Sequence, residues 1–187
     1  MTIQNPFSWV SHAVQKRAFV VLLVSALFLL ACLNVLDRPL KTSQAPLGIV
    51  SFELAGSLAK AQGMVNSWDT RGKIFAGLSL GLDYLFLVVY GAAIGLACGL
   101  VARGLASFST TFSNIGLLLA WGQIVAALLD GVENYALIQV LLGSGYYLWP
   151  VLARLCAVPK FAIVFAGLLY GLGGAVVIFA KNRSTRG

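Results

Sequence analysis

Charged residues are scarce in this chain. Only 10% of its 187 residues are Asp, Glu, Lys or Arg, whereas a soluble domain usually has about 25%. Hydrophobic residues make up 59% of the chain, and the mean hydropathy is +0.90. A soluble domain of this length could not bury so much apolar surface, so the composition excludes a soluble protein and indicates one that lies in lipid. The length suits a single domain.

Histidine and cysteine, which commonly hold metals or form disulfides, are also few. The one histidine, His12, precedes the first apolar run, and Cys32, Cys98 and Cys156 lie far apart without a CxxC pair. Dispersed cysteines in odd number are typical of small apolar side chains, not of a disulfide or zinc framework. The chain has no P-loop, HExxH or serine-nucleophile motif either, so no motif indicates a reaction, a cofactor or a metal.

Long apolar runs are what the sequence does contain. There are four of them, at about residues 18–36, 74–101, 115–142 and 161–180. Each is long enough to cross a hydrocarbon core of about 30 Å at 1.5 Å per residue. We therefore expect an all-α fold, an integral membrane four-helix bundle, built as a single membrane domain over residues 1–187.

The segment between the first two runs has a helical pattern at about residues 48–68. Val50, Leu54 and Val65 follow the three-or-four spacing of one helical face, and Glu53 lies on another face. The spacing predicts an amphipathic connector helix. Such a helix either packs over the bundle as a lid or lies at the membrane interface, where it meets lipid or a partner.

The cations around the apolar runs bear on orientation. Four spans place both termini on one side of a multi-pass protein, with six cations on that side and seven on the other, so the full count does not orient the chain. Cations directly before the first run and after the last one favour termini in the cytoplasm. These cations are Lys16, Arg17, Lys181, Arg183 and Arg186.

A stripe of glycines in the second run indicates close helix packing. Gly91, Gly95 and Gly99 repeat at every fourth residue, which lets another backbone approach. The partner helix belongs either to the same chain or to a second copy, so a homodimer or a larger membrane complex is compatible with the stripe. Membrane lipids are the other expected partners. The net charge of +7 comes without a basic patch interleaved with aromatics, which argues against nucleic acid.

Three of the six acidic residues interrupt apolar runs: Asp83, Asp130 and Glu133. A carboxylate at membrane depth costs several kcal/mol unless it is paired, protonated or hydrated, so such residues indicate a functional site. Asp83 lies about 14 Å from the start of its run, and Glu133 about 14 Å from the end of the next run. Because these two runs are antiparallel, we expect the three carboxylates in one band.

Helical spacing also places polar residues on shared faces. Asp130, Glu133 and Asn134 fall on one face of the third run, with Gln123, and Asp83 shares a stripe with Tyr90 on the second. A lysine at the start of the fourth run and an acid of the connector are expected at the same membrane face. The candidate ligand- or ion-binding residues are Asp83, Asp130, Glu133, Asn134, Gln123, Tyr90, Glu53 and Lys160.

Three interpretations of these acids remain open. They form an internal polar network that fixes the bundle, or they bind a cation, a proton or an amine, or they serve an enzyme. In the second case the protein has a binding, transport or accessory-subunit role. Closely spaced carboxylates raise one another's pKa, so one of them can keep its proton, and the remaining negative charge attracts a cation. In the third, paired carboxylates act on a lipid or isoprenoid as acid and base or hold a divalent metal.

Overall fold

The computed structural model describes residues 3–184 and confirms the all-α prediction. Its helices are α1 (His12–Asp37), α2 (Ile49–Glu53), α3 (Leu58–Ser67), α4 (Thr70–Leu105), α5 (Thr110–Leu141) and α6 (Leu148–Ser184), with a 3₁₀ turn at Arg38–Leu40. In this described part of the chain, α1, α4, α5 and α6 are long and apolar enough to cross a membrane, and the helices pack as a bundle. Arg186, one of the cations used for orientation, lies outside the described residues.

The largest difference from the predicted runs is at α6, which begins at Leu148 and not at residue 161. The segment with Trp149 and Pro150, which we expected in a connector, forms the first helical turn. Proline is tolerated there because the first N–H groups of a helix have no partner in the helix to lose. Lys160 therefore lies well inside α6, and the expectation that it starts the last span is wrong.

The connector between α1 and α4 is helical, as predicted, but consists of two helices and not one. Residues 54–57 separate α2 from α3, and Gly56 has a φ of 68°. This left-handed conformation is not compatible with a continuing right-handed helix. The predicted faces are wrong for the first piece, because Leu54 is exposed and Glu53 is buried. The break turns the two pieces independently, so one helical wheel does not describe both.

The connector packs on its own protein as a lid. Phe52 and Trp68 are in edge-to-face contact and share an apolar core with Leu137 of α5. The indole Nε1 of Trp68 donates a hydrogen bond of 2.8 Å to the carbonyl oxygen of Leu40. These contacts favour the lid over an interfacial helix, because the apolar face is already covered.

The chain divides into two compact units. The first comprises Met1–Val24, Val89–Ala126 and Phe161–Gly187, and the second comprises Ser25–Val88 and Ala127–Lys160. The second unit contains the lid and its apolar core.

The glycine stripe of α4 lies in the first unit and is packed by the same chain. A Cβ atom at Gly95 would lie 3.1 Å from the ring of Phe7 and 3.4 Å from the carbonyl oxygen of Ala120. At Gly99 it would lie 2.9 Å from the side chain of Asn5. Much of this stripe therefore accommodates the N-terminal segment and α5. A homodimer stays a prediction.

Candidate functional site

Charged residues from four helices converge on one another within the second unit. Glu53 is the last residue of α2, whereas the others come from the long helices α4, α5 and α6. On α5 the polar residues are spaced by three and four positions, which places them on one helical face. We define the acidic cluster as Glu53, Asp83, Asp130, Glu133, Asn134 and Lys160.

The ammonium group of Lys160 is the centre of the acidic cluster. Its Nζ lies 2.8 Å from Glu133 Oε2 and donates a hydrogen bond of 2.9 Å to Asp130 Oδ1. A third carboxylate oxygen, Glu53 Oε2, is 3.9 Å away. Lys160 thus contacts α5 and the lid at once, in the position that a bound cation would take between these acids. Among the described residues, no three His, Cys, Asp or Glu side chains are grouped as metal ligands.

Asp83 joins the cluster through an amide and not through the lysine. Asn134 Nδ2 donates a hydrogen bond of 2.7 Å to Asp83 Oδ2, which links α4 to α5. Next to it, the hydroxyl of Tyr84 donates to the carbonyl oxygen of Gly131 at 3.1 Å. Asp83 is only partly buried, whereas Asn134 is buried. Asp83 is therefore the carboxylate of the cluster that is most accessible from outside.

The cluster has more acid than base. Four carboxyl groups against one ammonium leave a charge of 1 − 4 = −3 if all of them are ionised. Three of the acids are nearly inaccessible, with exposed fractions of 9% for Glu53, 2% for Asp130 and 0% for Glu133. Isolated charge in such surroundings is costly, so protons or cations are needed to balance the excess.

Two carboxyl groups of the cluster also have unused acceptor atoms. Within the described residues, Glu133 Oε1 and Glu53 Oε2 accept no hydrogen bond, although both are buried. A buried acceptor without a donor costs about 1–3 kcal/mol, so such atoms are rare in folded proteins. A proton on the carboxyl group or a bound cation removes this cost. The two unpaired oxygens, like the excess of negative charge, therefore indicate that the cluster takes up protons or cations.

Glu53 lies outside the long helices and holds its proton tightly. Burial raises the pKa of Glu53 to about 8, and the neighbouring carboxylates Glu133, Asp83 and Asp130 raise it as well, while the ammonium of Lys160 acts in the opposite direction. Because this pKa lies above neutral pH, the lid brings a mostly protonated carboxyl group to the cluster at pH 7. Glu53 is then able to donate a hydrogen bond.

The helical rise gives the depth of the cluster. Asp83 lies about 20 Å along α4 from Thr70, and Lys160 lies about 18 Å along α6 from Leu148. Asp130 lies about 17 Å from the end of α5 at Leu141. The contacts and these similar distances agree with the expected single band of carboxylates. They also place Lys160 in that band.

The other two candidate residues fall in the first unit. Gln123 of α5 is fully buried, and its Nε2 donates a hydrogen bond of 3.1 Å to the carbonyl oxygen of Ile163. Its Oε1 accepts no hydrogen bond from the described residues. Tyr90 of α4 is buried, with 7% of its surface exposed. Gln123 therefore has a helix-joining contact of its own.

Sequence reasoning missed one buried polar residue of the first unit. Gln15 has 1% of its surface exposed, and its Nε2 donates hydrogen bonds of 2.8 Å to the carbonyl oxygens of Phe7 and Val10. It fixes the N-terminal segment that packs on the glycine stripe. A glutamine directly before Lys16 and Arg17 looks like part of a polar tail, so the local sequence has no signal for its burial.

Comparisons with known protein families, curated proteins and solved structures give no match to this chain. The fold alone defines the class to which this protein belongs. The chain is an all-helical, multi-pass membrane protein. Its second unit contains a cluster of four carboxyl groups, three of which are buried and contact one lysine.

Proposed function

We propose that this protein binds protons at the acidic cluster and exchanges them for a small monovalent cation, as the binding site of a proton-coupled carrier or of an accessory subunit. The observation that carries the proposal is the excess of buried acid over base around Lys160. A network that served only to hold helices together would be more stable with matched charges. With Glu53 protonated, the three other carboxylates of this cluster still exceed its one ammonium by two negative charges when they are ionised.

Proton and cation compete for the same charge. A monovalent cation that enters the cluster replaces the proton of one protonated carboxyl group there, and that proton goes to solvent, so the cluster keeps its net charge. Lys160 is a fixed cation that holds Asp130 and Glu133 in place. The unused Glu133 Oε1 is an oxygen ligand for an incoming ion. Asp83 is the most accessible acid of the cluster, so an incoming ion would meet it first.

Proton release on cation binding tests the proposal directly. Purified protein in weakly buffered detergent is mixed with NaCl, KCl or NH4Cl, and a pH indicator records released protons. Choline chloride at the same ionic strength is the control salt. We expect release of about one proton per bound cation for the wild type. Glu133→Gln and Asp130→Asn should reduce this release strongly.

The matched control is Asp69→Asn, which removes a carboxylate outside the cluster. Asp69 is exposed and accepts a hydrogen bond from the N–H of Gly72 at the start of α4, which asparagine can also accept. This variant should release protons as the wild type does. No proton release from a well-folded wild type would overturn the proposal. In that case the cluster is a structural network, and the acid variants only lose stability.

Native mass spectrometry of gently extracted protein separates carrier from subunit. A bound ion that is lost in the Asp130→Asn/Glu133→Gln variant supports a ligand site in this chain. Other chains that co-purify in fixed ratio support the accessory-subunit role, and the same spectrum gives the number of copies. A lipid or isoprenoid that is lost in the same Asp130→Asn/Glu133→Gln variant would favour the enzyme alternative, because its binding would then depend on the acidic cluster.

A further inference from the structure

The second unit also has a groove whose lining residues are distinct from those of the acidic cluster. Residues of α6 and the break between α2 and α3 line an open groove of about 420 Å³. Four apolar side chains, a glycine and one arginine line it: Val151, Leu155, Val158, Pro159, Gly56 and Arg154. The α6 residues are spaced by three and four positions, so they form one stripe along the helix.

Arg154 is the polar end of this groove. A Cβ atom at Gly56 would lie 2.7 Å from Cδ and 2.8 Å from Nη1 of Arg154, so the arginine side chain lies directly on this glycine. Arg154 is exposed, and no ion pair joins it to a carboxylate of the described chain. Its guanidinium is thus a cation at the rim of an apolar groove. Guanidinium matches phosphate oxygens in a two-pronged hydrogen bond.

The residues that precede Arg154 indicate that this cation lies near lipid headgroups. Trp149 in the first turn of α6, and Tyr146 and Tyr147 just before the helix, are residue types typical of a membrane interface. Arg154 lies about 8 Å further along the helix than Trp149. Helical side chains point back towards the helix N-terminus, so the guanidinium reaches in the direction of the headgroups.

The rest of the groove fits a hydrocarbon chain. Leu155 and Val158 are exposed by 66% and 54%, so their apolar surface has no cover from the described chain. From Val151 to Pro159 the stripe is about 12 Å long, enough for the upper part of an acyl chain. We propose that the groove binds one anionic phospholipid, with its phosphate at Arg154 and an acyl chain along α6.

Lipid titration followed by native mass spectrometry tests this site. The full chain in detergent is titrated with phosphatidylglycerol or with phosphatidylcholine that carries the same acyl chains. We expect the wild type to prefer phosphatidylglycerol, and Arg154→Gln to weaken its binding roughly tenfold, as loss of a charge-assisted contact does. Val158→Trp should abolish binding without any change of charge, because the indole fills the groove.

Arg71→Gln is the control variant for charge. Arg71 is a cation of the same unit that contacts the ring of Phe75 outside the groove, so its loss should leave phosphatidylglycerol binding unchanged. Equal affinity of wild type and Arg154→Gln for phosphatidylglycerol, or equal affinity of the wild type for both lipids, would overturn the proposal. So would displacement of the lipid by inorganic phosphate, because the site would then recognise phosphate without the acyl chain.

Discussion

Lys160 and the acids around it are not interchangeable in their effect on stability. The lysine is one positive charge among four carboxyl groups, and it contacts three of them. Loss of the lysine leaves only negative groups in a buried place. Loss of one acid brings the charges closer to balance. The two kinds of substitution should therefore differ in size although each removes one charge.

We expect Lys160→Met to lower the free energy of unfolding by about 3–5 kcal/mol, the usual cost of an uncompensated buried charge. Glu133→Gln should cost clearly less, because it removes repulsion together with an ion pair. Thermal unfolding in detergent measures both. The double variant Lys160→Met/Asp130→Asn should be more stable than Lys160→Met alone. Equal losses for Lys160→Met and Glu133→Gln would contradict this account of the charge.

Glu53 makes stability depend on pH. Its folded-state pKa of about 8 is higher than the ordinary value of 4.5, so the folded protein binds this proton more tightly than the unfolded chain. Its contribution is complete below about pH 4.5 and is lost as pH rises through about 8. The groups that face it are Lys160 of α6, Asp130 and Glu133 of α5, and Asp83 of α4.

Glu53→Gln should therefore flatten the pH dependence of the melting temperature. We expect wild-type stability to fall by on the order of a few kcal/mol between about pH 5 and pH 9, and the glutamine variant to lose less. Glutamine keeps the size and a hydrogen-bond donor but does not titrate. Parallel curves for the two proteins over this range would show that Glu53 is not the responsible group.

At the scale of elements, local composition predicted the long helices but not the form of the connector. A run of apolar residues is helical in lipid whatever it packs against, because its backbone groups must bond within the segment. The connector has no such constraint. The break between α2 and α3 depends on the positive φ of Gly56, and the side chain of Arg154 from α6 lies directly on this glycine.

Two glycine substitutions test the difference between the break in the connector and the interior of a long helix. Gly56→Ala should destabilise the protein by about 1–3 kcal/mol, because alanine is strained at φ 68° and its Cβ would approach Arg154 to 2.7 Å. Gly81→Ala should be neutral or stabilising by up to about 1 kcal/mol, because Gly81 lies within α4 with no atom within 4 Å of an added Cβ. Thermal unfolding of both variants is the measurement. A destabilising Gly81→Ala would contradict the packing described for α4.

At the scale of the whole molecule, an even number of spans places both termini on one side of the membrane, and the described residues include four helices long and apolar enough to span it. The cations Lys16 and Arg17 before the first span and Lys181 after the last favour the cytoplasm for that side. Reporter fusions at each end should therefore both give cytoplasmic activity. Reporters on opposite sides would mean an odd number of spans. Both reporters outside would mean that the cations in the connectors determine the orientation.

Some residues of the candidate site were predictable from the sequence and others were not, for a physical reason. Charged residues within apolar runs are visible in any sequence because lipid makes them costly, so Asp83, Asp130 and Glu133 stood out. For Lys160 and Glu53, the sequence predicted only that they lie at the same membrane face as these acids. Their contacts depend on where α6 begins and how the connector folds back, and both of these depend on packing.

The amino-acid sequence by itself determined that this protein lies in a membrane, that it has four long helices and that three acids interrupt them. These features follow from the solvent, since lipid penalises every unpaired backbone group and every charge. Only the tertiary structure decided that Lys160 lies among the acids, that Glu53 faces inward from the lid and that Arg154 borders a groove. Those positions depend on contacts between residues far apart in the chain, which no local pattern encodes.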